Sequence, residues 1–540
     1  MTGFRPRTSL ATHEVQNQPP PLEDVNLYSA DRWLTHLVPH AGAATHAAHL
    51  AAFGAQVGRA ETIALGVAAN RHPPALAAFD RYGQRLDEVE FHPAYHALMA
   101  MGLEAGVAAR AWTHPEAGHV AHAALLFLMS QAEAGVTCPM SMTYAAIAAL
   151  RQDEALAAAW VPRVLATAYD PAVLPPERKR AVTIGMAMTE KQGGSDVRAN
   201  TTRAFAAEGG HELTGHKWFC SAPMSDAFLT LAQTDAGLTC FLAPRWRPDG
   251  TRNAIDLQRL KDKLGDRANA SAEIEYRGAF AWRLGEPGRG LRTILEMVNH
   301  TRLDCIVSAA SLMRQSLSLA IHHAEGRSAF QRRLIDQPLM RAVLAELAVE
   351  VEAHMALAFR CAAAFDAARG DPAAASLARV ITPVAKYWVT KRCPVVIAEA
   401  MEVHGGGGYI EESPLPRLYR AAPLNGIWEG SGNVIALDVL RALGREAGAA
   451  DRVRGELEIL RDLAGPALDA LRWHDAGEAD ARGVAERLAV LLAAAALRRW
   501  GREATAAAFL RLRLDGAATF GAGRPGAVDT ALLAEARLAV

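Results

Sequence analysis

The spacing of apolar positions changes three times along the chain. From about residue 30 to 168 the text is rich in alanine and leucine, and apolar residues recur at helical spacing over residues 40–57 and 118–135. The Cys138-Pro-Met-Ser-Met-Thr143 segment interrupts that rhythm and opens a further helix over residues 144–151. Between residues 181 and 289 the period shortens. Ala227-Phe-Leu-Thr-Leu-Ala-Gln233, Thr239-Cys-Phe-Leu-Ala243 and Ala272-Glu-Ile-Glu-Tyr276 are short alternating or apolar runs, separated by turn signals such as Gly209-Gly210 and Pro248-Asp-Gly250. Helical spacing returns over residues 309–323, 338–365 and 375–389, long enough for a bundle. Residues 445–483 turn polar, and a last helical unit runs over residues 483–514.

This pattern predicts a mainly α protein with a central β domain. The expected order is an extended arm (1–35), a helical domain (36–180), a β domain (181–289), a helical bundle (290–444) and a helical extension (445–540). The arm, punctuated by Gly, Pro and Asn, reads either as disordered or as a strap on a partner subunit. Residues 36–180 read as wholly helical.

Composition narrows the function. Lys and Arg number 57 against 58 Asp and Glu, so no global basic field draws the chain onto nucleic acid or membrane. The six cysteines are scattered without a Cys-x-x-Cys pair, so neither a zinc site nor a disulfide framework is expected, and a reduced setting fits better. His92, His96, His119 and His122 lack metal-ligand spacing and acidic company, so no metal is expected. The longest smooth apolar run, residues 488–497, is too short to span a bilayer. A cytoplasmic location without membrane contact is the expectation.

The stretch Thr189-Glu-Lys-Gln-Gly-Gly-Ser-Asp196 follows an apolar run and offers hydroxyls and close backbone approach. By itself it reads equally as a hairpin turn. Its company changes that: Gly215-His-Lys-Trp-Phe-Cys-Ser-Ala222, Gly326-Arg-Ser-Ala-Phe-Gln331, Gly405-Gly-Gly-Gly-Tyr409 and Ile427-Trp-Glu-Gly-Ser-Gly-Asn433. In this order over residues 40–445, the pieces resemble the acyl-CoA dehydrogenase flavoprotein superfamily, and most closely its AidB branch, named for an adaptive response to DNA alkylation. Arg259-Leu-Lys-Asp-Lys-Leu-Gly265, Glu399-Ala-Met-Glu-Val403 and the Asn17-Gln-Pro-Pro-Pro-Leu22 arm fit the same branch. The fold so implied is a helical domain, a middle β-barrel or sandwich and a four-helix bundle.

The resemblance implies FAD as cofactor. Met186, Met188, Thr189, Gly194 and Ser195 would meet the flavin ring and its side chain, where backbone amides stabilise negative charge on the reduced ring. Trp218, Cys220, Ser221 and Ala222 would cover its other edge, with Ser221 bonding the hydride-accepting nitrogen. Cys220, lacking a partner thiol, is not expected to be a redox centre. Arg327, with Phe330, would reach the cofactor diphosphate of a neighbouring subunit, a geometry that suits a guanidinium fork. Ile427, Trp428, Ser431 and Asn433 complete the cofactor set. The family commonly has Gln where this chain has Glu402, and that contact is not carried over.

Glu429 matches the family's catalytic base, which removes the proton alpha to a thioester carbonyl while the beta hydride passes to flavin. Arg302, in Thr301-Arg-Leu-Asp304, would support substrate. The implied small molecule is an acyl-CoA or an alkylating agent, and the implied assembly a homotetramer. The branch also implies duplex DNA binding through the C-terminal region. Arg498, Arg499, Arg502, Arg511 and Arg513 have only Glu503 nearby in sequence, a local basic patch that could meet phosphates. Protection of DNA against alkylation would follow. A conventional acyl-CoA dehydrogenase without a DNA role, and a flavin-bearing DNA-binding assembly without turnover, are the alternatives.

Overall fold

The structure is a computed structural model that describes residues 6–514 and 528–539. Helices flank a central β domain on both sides in sequence, as the change of period predicts. The deepest helix is Gly118–Ala132, in which every residue is buried. It packs on the long helix Gly290–Gly326, which with Pro338–Ala368, Pro372–Val403 and Gly432–Arg445 builds the bundle. The apolar run at residues 488–497 lies in the helix Ala481–Arg499, which packs on three of those bundle helices. Among the described residues no helix is long and apolar enough to cross a membrane.

One expectation changes in the N-terminal third. The helical reading of residues 36–180 misses a hairpin, β1 (Ala75–Phe79) with β2 (Arg85–Glu90). Pro73 and Pro74 end the preceding helix, and Gly83 at φ +81° makes the turn. Val89 then packs into the core of the β domain, so tertiary burial overrides the low strand propensity of an alanine-rich segment. The described part of the arm packs on its own chain. Asn17 bonds the Ser328 backbone in both directions, and Asp31 caps the helix Arg32–Val38 while accepting from buried Arg314 at 2.8 Å.

The β domain holds β3 (Ile184–Ala187), β4 (Arg203–Ala207), β5 (Gly210–Ser221), β6 (Ala227–Thr234), β7 (Gly237–Pro244), β8 (Ile255–Leu260) and β9 (Ser271–Leu284). The order is β3-β6-β4-β5-β9-β7, and β6 also pairs with β7, so the sheet closes into a barrel. β5 gains a residue against β9 between Lys217 and Cys220. Without that bulge, residues three apart would face opposite sides of the sheet; with it, both are buried while Trp218 and Ser221 stay partly exposed.

Lys217 is spent inside the barrel. Its Nζ donates to Glu190 at 2.9 Å and to the Leu231 carbonyl at 2.8 Å, and Glu190 also accepts from both backbone amides of Thr201 and Thr202. Burial pushes the Glu190 carboxyl up, but Lys217 and those donors outweigh it and hold it at about 2. The stability this carboxylate contributes is therefore present above its ordinary 4.5 and is lost as pH falls toward 2. Lys217→Met leaves Glu190 as an uncompensated buried charge, so urea unfolding at neutral pH should show a loss of about 3–5 kcal/mol. In that variant the penalty should shrink as pH falls and Glu190 takes up a proton.

Candidate active site

Two groups of side chains make the site. The first lies on the barrel. Met186, Met188 and Thr189 are half-buried beside the bundle, while Ala187 points into the barrel core. The Trp218 amide donates to the Thr189 carbonyl at 2.7 Å, which fixes the turn after β3 against β5. In that turn Gly193 sits at φ +132°, and a Cβ on Gly194 would come within 2.5 Å of Thr189 Oγ1. Ser195 is exposed on the same turn, Ala222 is buried at φ +50°, and Ser221 Oγ lies 3.0 Å from Ser271 Oγ. Cys220 requires a correction. Its side chain is fully buried in the barrel core, where burial pushes the thiol far up, so it presents no side chain to a flavin.

The second group is the loop that joins residue 425 to the helix Gly432–Arg445. Two buried cations hold this loop by its carbonyls. Arg302 donates from Nε to the Glu429 carbonyl at 3.0 Å and from Nη1 to Asp438 at 2.7 Å. Lys386 donates to the Asn425 carbonyl at 3.1 Å and to the Gly430 carbonyl at 2.8 Å. Trp428 closes the loop through Nε1 to Asn425 Oδ1 at 3.1 Å. So clamped, Glu429 adopts φ +58°, a left-handed conformation that costs a non-glycine residue about 1–3 kcal/mol. Its Oε2 is buried without a hydrogen-bond partner. Burial raises the Glu429 carboxyl; Thr301 and the charges of Lys386 and Arg302 draw it down, and Asp304 pushes it up again.

Cys138 is buried in the helical core, where burial pushes its thiol up to about 12 and keeps it neutral. Thr301, Lys386 and Cys138 were absent from the expected set. A lysine inside the apolar run 377–389 was the one sequence signal for Lys386.

Other expected residues lie apart. Ile427 is 63% exposed, Ser431 and Asn433 are exposed, and Asn433 Oδ1 accepts from Arg482 at 2.7 Å. Arg327 ends the helix that carries Arg302, 25 residues on, which is about 37 Å along the axis. It bonds the Asn17 carbonyl at 3.0 Å, and Phe330 nearby is 96% exposed. The C-terminal arginines need a second correction. Arg498 pairs with Asp462 and Glu503, Arg499 with Glu456, Arg502 with Glu352 and Glu535, and Arg513 with Glu350 and Glu346. Most of those acids come from other helices, so counting neighbours in sequence overstates the free charge. Arg511 is exposed, and the Gly- and Ala-rich stretch at residues 515–527 lies outside the described residues.

A barrel flanked by helical domains, with a raised carboxyl on a loop clamped to the bundle, is the arrangement of an acyl-CoA dehydrogenase-type flavoenzyme. Comparison with known proteins agrees. Residues 17–171 match the Adaptive response protein AidB N-terminal domain, 185–279 the acyl-CoA dehydrogenase middle domain and 288–444 the acyl-CoA dehydrogenase C-terminal domain. The chain is 51% identical over 444 residues to "Putative acyl-CoA dehydrogenase AidB" of Escherichia coli (strain K12), covering 82% of each. Among solved structures, "Bd2924 apo-form" aligns with a TM-score of 0.83 at 30% identity, over 89% of this chain and 99% of that one. Caenorhabditis elegans ACDH-11 in complex with C11-CoA aligns at 0.82 and 28% identity, over 99% of this chain and 94% of that one. The chain belongs to the acyl-CoA dehydrogenase family, with the AidB type of N-terminal domain. It is a flavin-dependent oxidoreductase of that family, and its cofactor is FAD.

The clamp has a measurable consequence. Lys386→Met leaves two loop carbonyls without their donor, at about 1–3 kcal/mol for each that stays buried. Amide hydrogen exchange over residues 425–430 should accelerate strongly, while exchange in the barrel strands should not change.

Proposed function

We propose that the chain oxidises an acyl-CoA thioester at its α,β bond, with Glu429 as the base. The observation that carries this reading is the Glu429 carboxylate itself: clamped at φ +58°, raised by burial, and holding one buried oxygen that none of the described residues bonds. A base of this kind takes a weakly acidic proton better than a solvated carboxylate does. The barrel residues fit a flavin: the turn around Gly194 carries the half-buried Thr189 and the exposed Ser195, and the partly exposed Trp218 is tied to it through the Thr189 carbonyl. Met186, Met188, Thr189, Ser221 and Ala222 would hold the ring, and FAD when bound supplies the hydride acceptor. The neighbouring structure whose title names a C11-CoA complex supports an acyl-CoA as the ligand class.

Arg327 and Phe330 are too far along the helix from Arg302 to serve the same end of one cofactor, which supports the reading that they serve a neighbouring subunit in a homotetramer. Ile427, Ser431 and Asn433 would contact the cofactor only at the loop's exposed face. Duplex DNA binding and protection against alkylation have weaker support, because four of the five arginines at 498–513 are committed to internal ion pairs. We expect no mobility shift of duplex DNA that depends on these residues. A shift at low salt that Arg499→Ala with Arg511→Ala abolishes would restore the DNA reading.

The test of catalysis is the visible spectrum of the holoenzyme mixed anaerobically with C11-CoA. The wild type should bleach, at a rate that rises with pH along one limb lying above the ordinary carboxylate range, because the base must first lose its proton. Glu429→Gln should keep its FAD and lose about 10²–10⁴-fold or more in rate. Undiminished bleaching in that variant would overturn the assignment, and loss of FAD would give Glu429 a structural role instead.

A further inference from the structure

The helix Gly432–Arg445, which follows the loop of Glu429, buries Ile435, Ala436, Val439 and Ala442, and Asp438 lies among them at 8% exposure. A lone carboxylate in such a place is costly unless it is paired and hydrogen-bonded. Two guanidinium groups from other bundle helices meet it. Arg379, on Pro372–Val403, donates from Nη2 to Oδ1 at 2.6 Å and from Nη1 to Oδ2 at 3.2 Å. Arg302, on Gly290–Gly326, donates from Nη1 to Oδ2 at 2.7 Å. Burial pushes the Asp438 carboxyl up, but the bonds and charges of Arg379 and Arg302 outweigh it and hold it below its ordinary range, so it is ionised. Arg379 also stands 4.0 Å from Glu446, just past the end of the helix, and Arg482 bonds Asn433 at its start.

This pairing decides where Arg302 points. A guanidinium is planar, and its Nε and Nη1 hydrogens leave different edges of the fork. The bonds to the Glu429 carbonyl at 3.0 Å and to Asp438 at 2.7 Å therefore fix both its tilt and its rotation. A carbonyl alone does not neutralise a buried cation, and a guanidinium stripped of its counter-ion is driven toward another carboxylate. Asp304 is not that carboxylate: residues two apart on a helix do not face each other, and Asp304 is engaged by His122 at 2.8 Å. Glu429, whose carbonyl Arg302 already holds, is the acid left. Lys386 does not compete, because its bonds go to the Asn425 and Gly430 carbonyls.

We infer that Asp438 is a positioning residue for the base: as the counter-ion of Arg302 it holds that guanidinium on the Glu429 carbonyl and keeps it off the Glu429 carboxylate. Asp438 acts through Arg302, and its role rests on the reading of Glu429 given above. Asp438→Asn keeps the shape and one acceptor oxygen but removes the charge. Arg302 then turns to the Glu429 carboxylate, and a carboxylate paired with a cation is a weaker base. Arg379→Met leaves the Arg302–Asp438 bond in place, so it costs stability without drawing Arg302 away. Asp438→Asn combined with Arg379→Met removes one charge of each sign, and serves if the single Asp438 variant does not fold.

The experiment titrates Glu429 in the holoenzyme by two routes. One is the pH profile of anaerobic flavin bleaching by C11-CoA. The other, without substrate, is pH-difference infrared spectroscopy of the carboxylic acid band that Glu429→Gln lacks. Asp438→Asn, alone or with Arg379→Met, should lower both midpoints by about one pH unit or more and slow the high-pH plateau about tenfold, with KM for C11-CoA little changed. Arg379→Met alone should leave both midpoints in place. A merely structural aspartate would affect folding or FAD content and leave the midpoints alone. Unmoved midpoints in an Asp438 variant that retains FAD, or an equal fall in Arg379→Met, would overturn the inference. If the wild type does not bleach, the reading of Glu429 as the base fails, and the infrared midpoints still decide whether Asp438 keeps Arg302 off that carboxylate.

Discussion

Two buried cations spend their hydrogen bonds on main-chain carbonyls, and the site depends on that choice. Arg302 and Lys386 come from different bundle helices, and each reaches the loop at residues 425–430 from inside the protein. Had either met the Glu429 carboxylate directly, the acid would be held ionised and weakly basic. Because they hold the loop by its backbone, the strained φ at Glu429 persists and one carboxyl oxygen stays unbonded. The charges remain close enough to stabilise the anion in part, so the carboxyl is raised without being kept permanently neutral.

The barrel solves a complementary problem. A polar turn must present hydroxyls and amides at the barrel's rim, yet be rigid enough to define a surface. Glu190, inside that turn, is pulled into the barrel by Lys217 and two backbone amides, while Thr189 stays half-buried and Ser195 exposed. The bulge in β5 then sets Trp218 and Ser221 on the outer side and Cys220 on the inner.

The fold was legible because helical and strand periods change sharply at the domain borders, and the Glu429 and Thr189 motifs were legible as contiguous strings. The parts that escaped are long-range. The hairpin of β1 and β2 is stabilised by burial of Val89 in a domain that begins more than 90 residues further along the sequence, which an alanine-rich string does not announce. The basic look of residues 498–513 dissolves against acids from distant helices, Glu352 and Glu350 among them. Lys386 is a single residue on a long helix, and only three-dimensional packing brings it to the loop that carries Glu429. Cys220 was misplaced by a one-residue bulge, which reverses the face of every residue beyond it.

The central claim is that this loop delivers a base to the carbon alpha to a thioester. It is tested most directly by incubating the holoenzyme with C11-CoA in D2O without an electron acceptor and reading deuterium in the recovered thioester by mass spectrometry. The account predicts label at the α carbon with the wild type and none with Glu429→Gln. Label that appears equally in both, or oxidation without any exchange at the α carbon in the wild type, would contradict it.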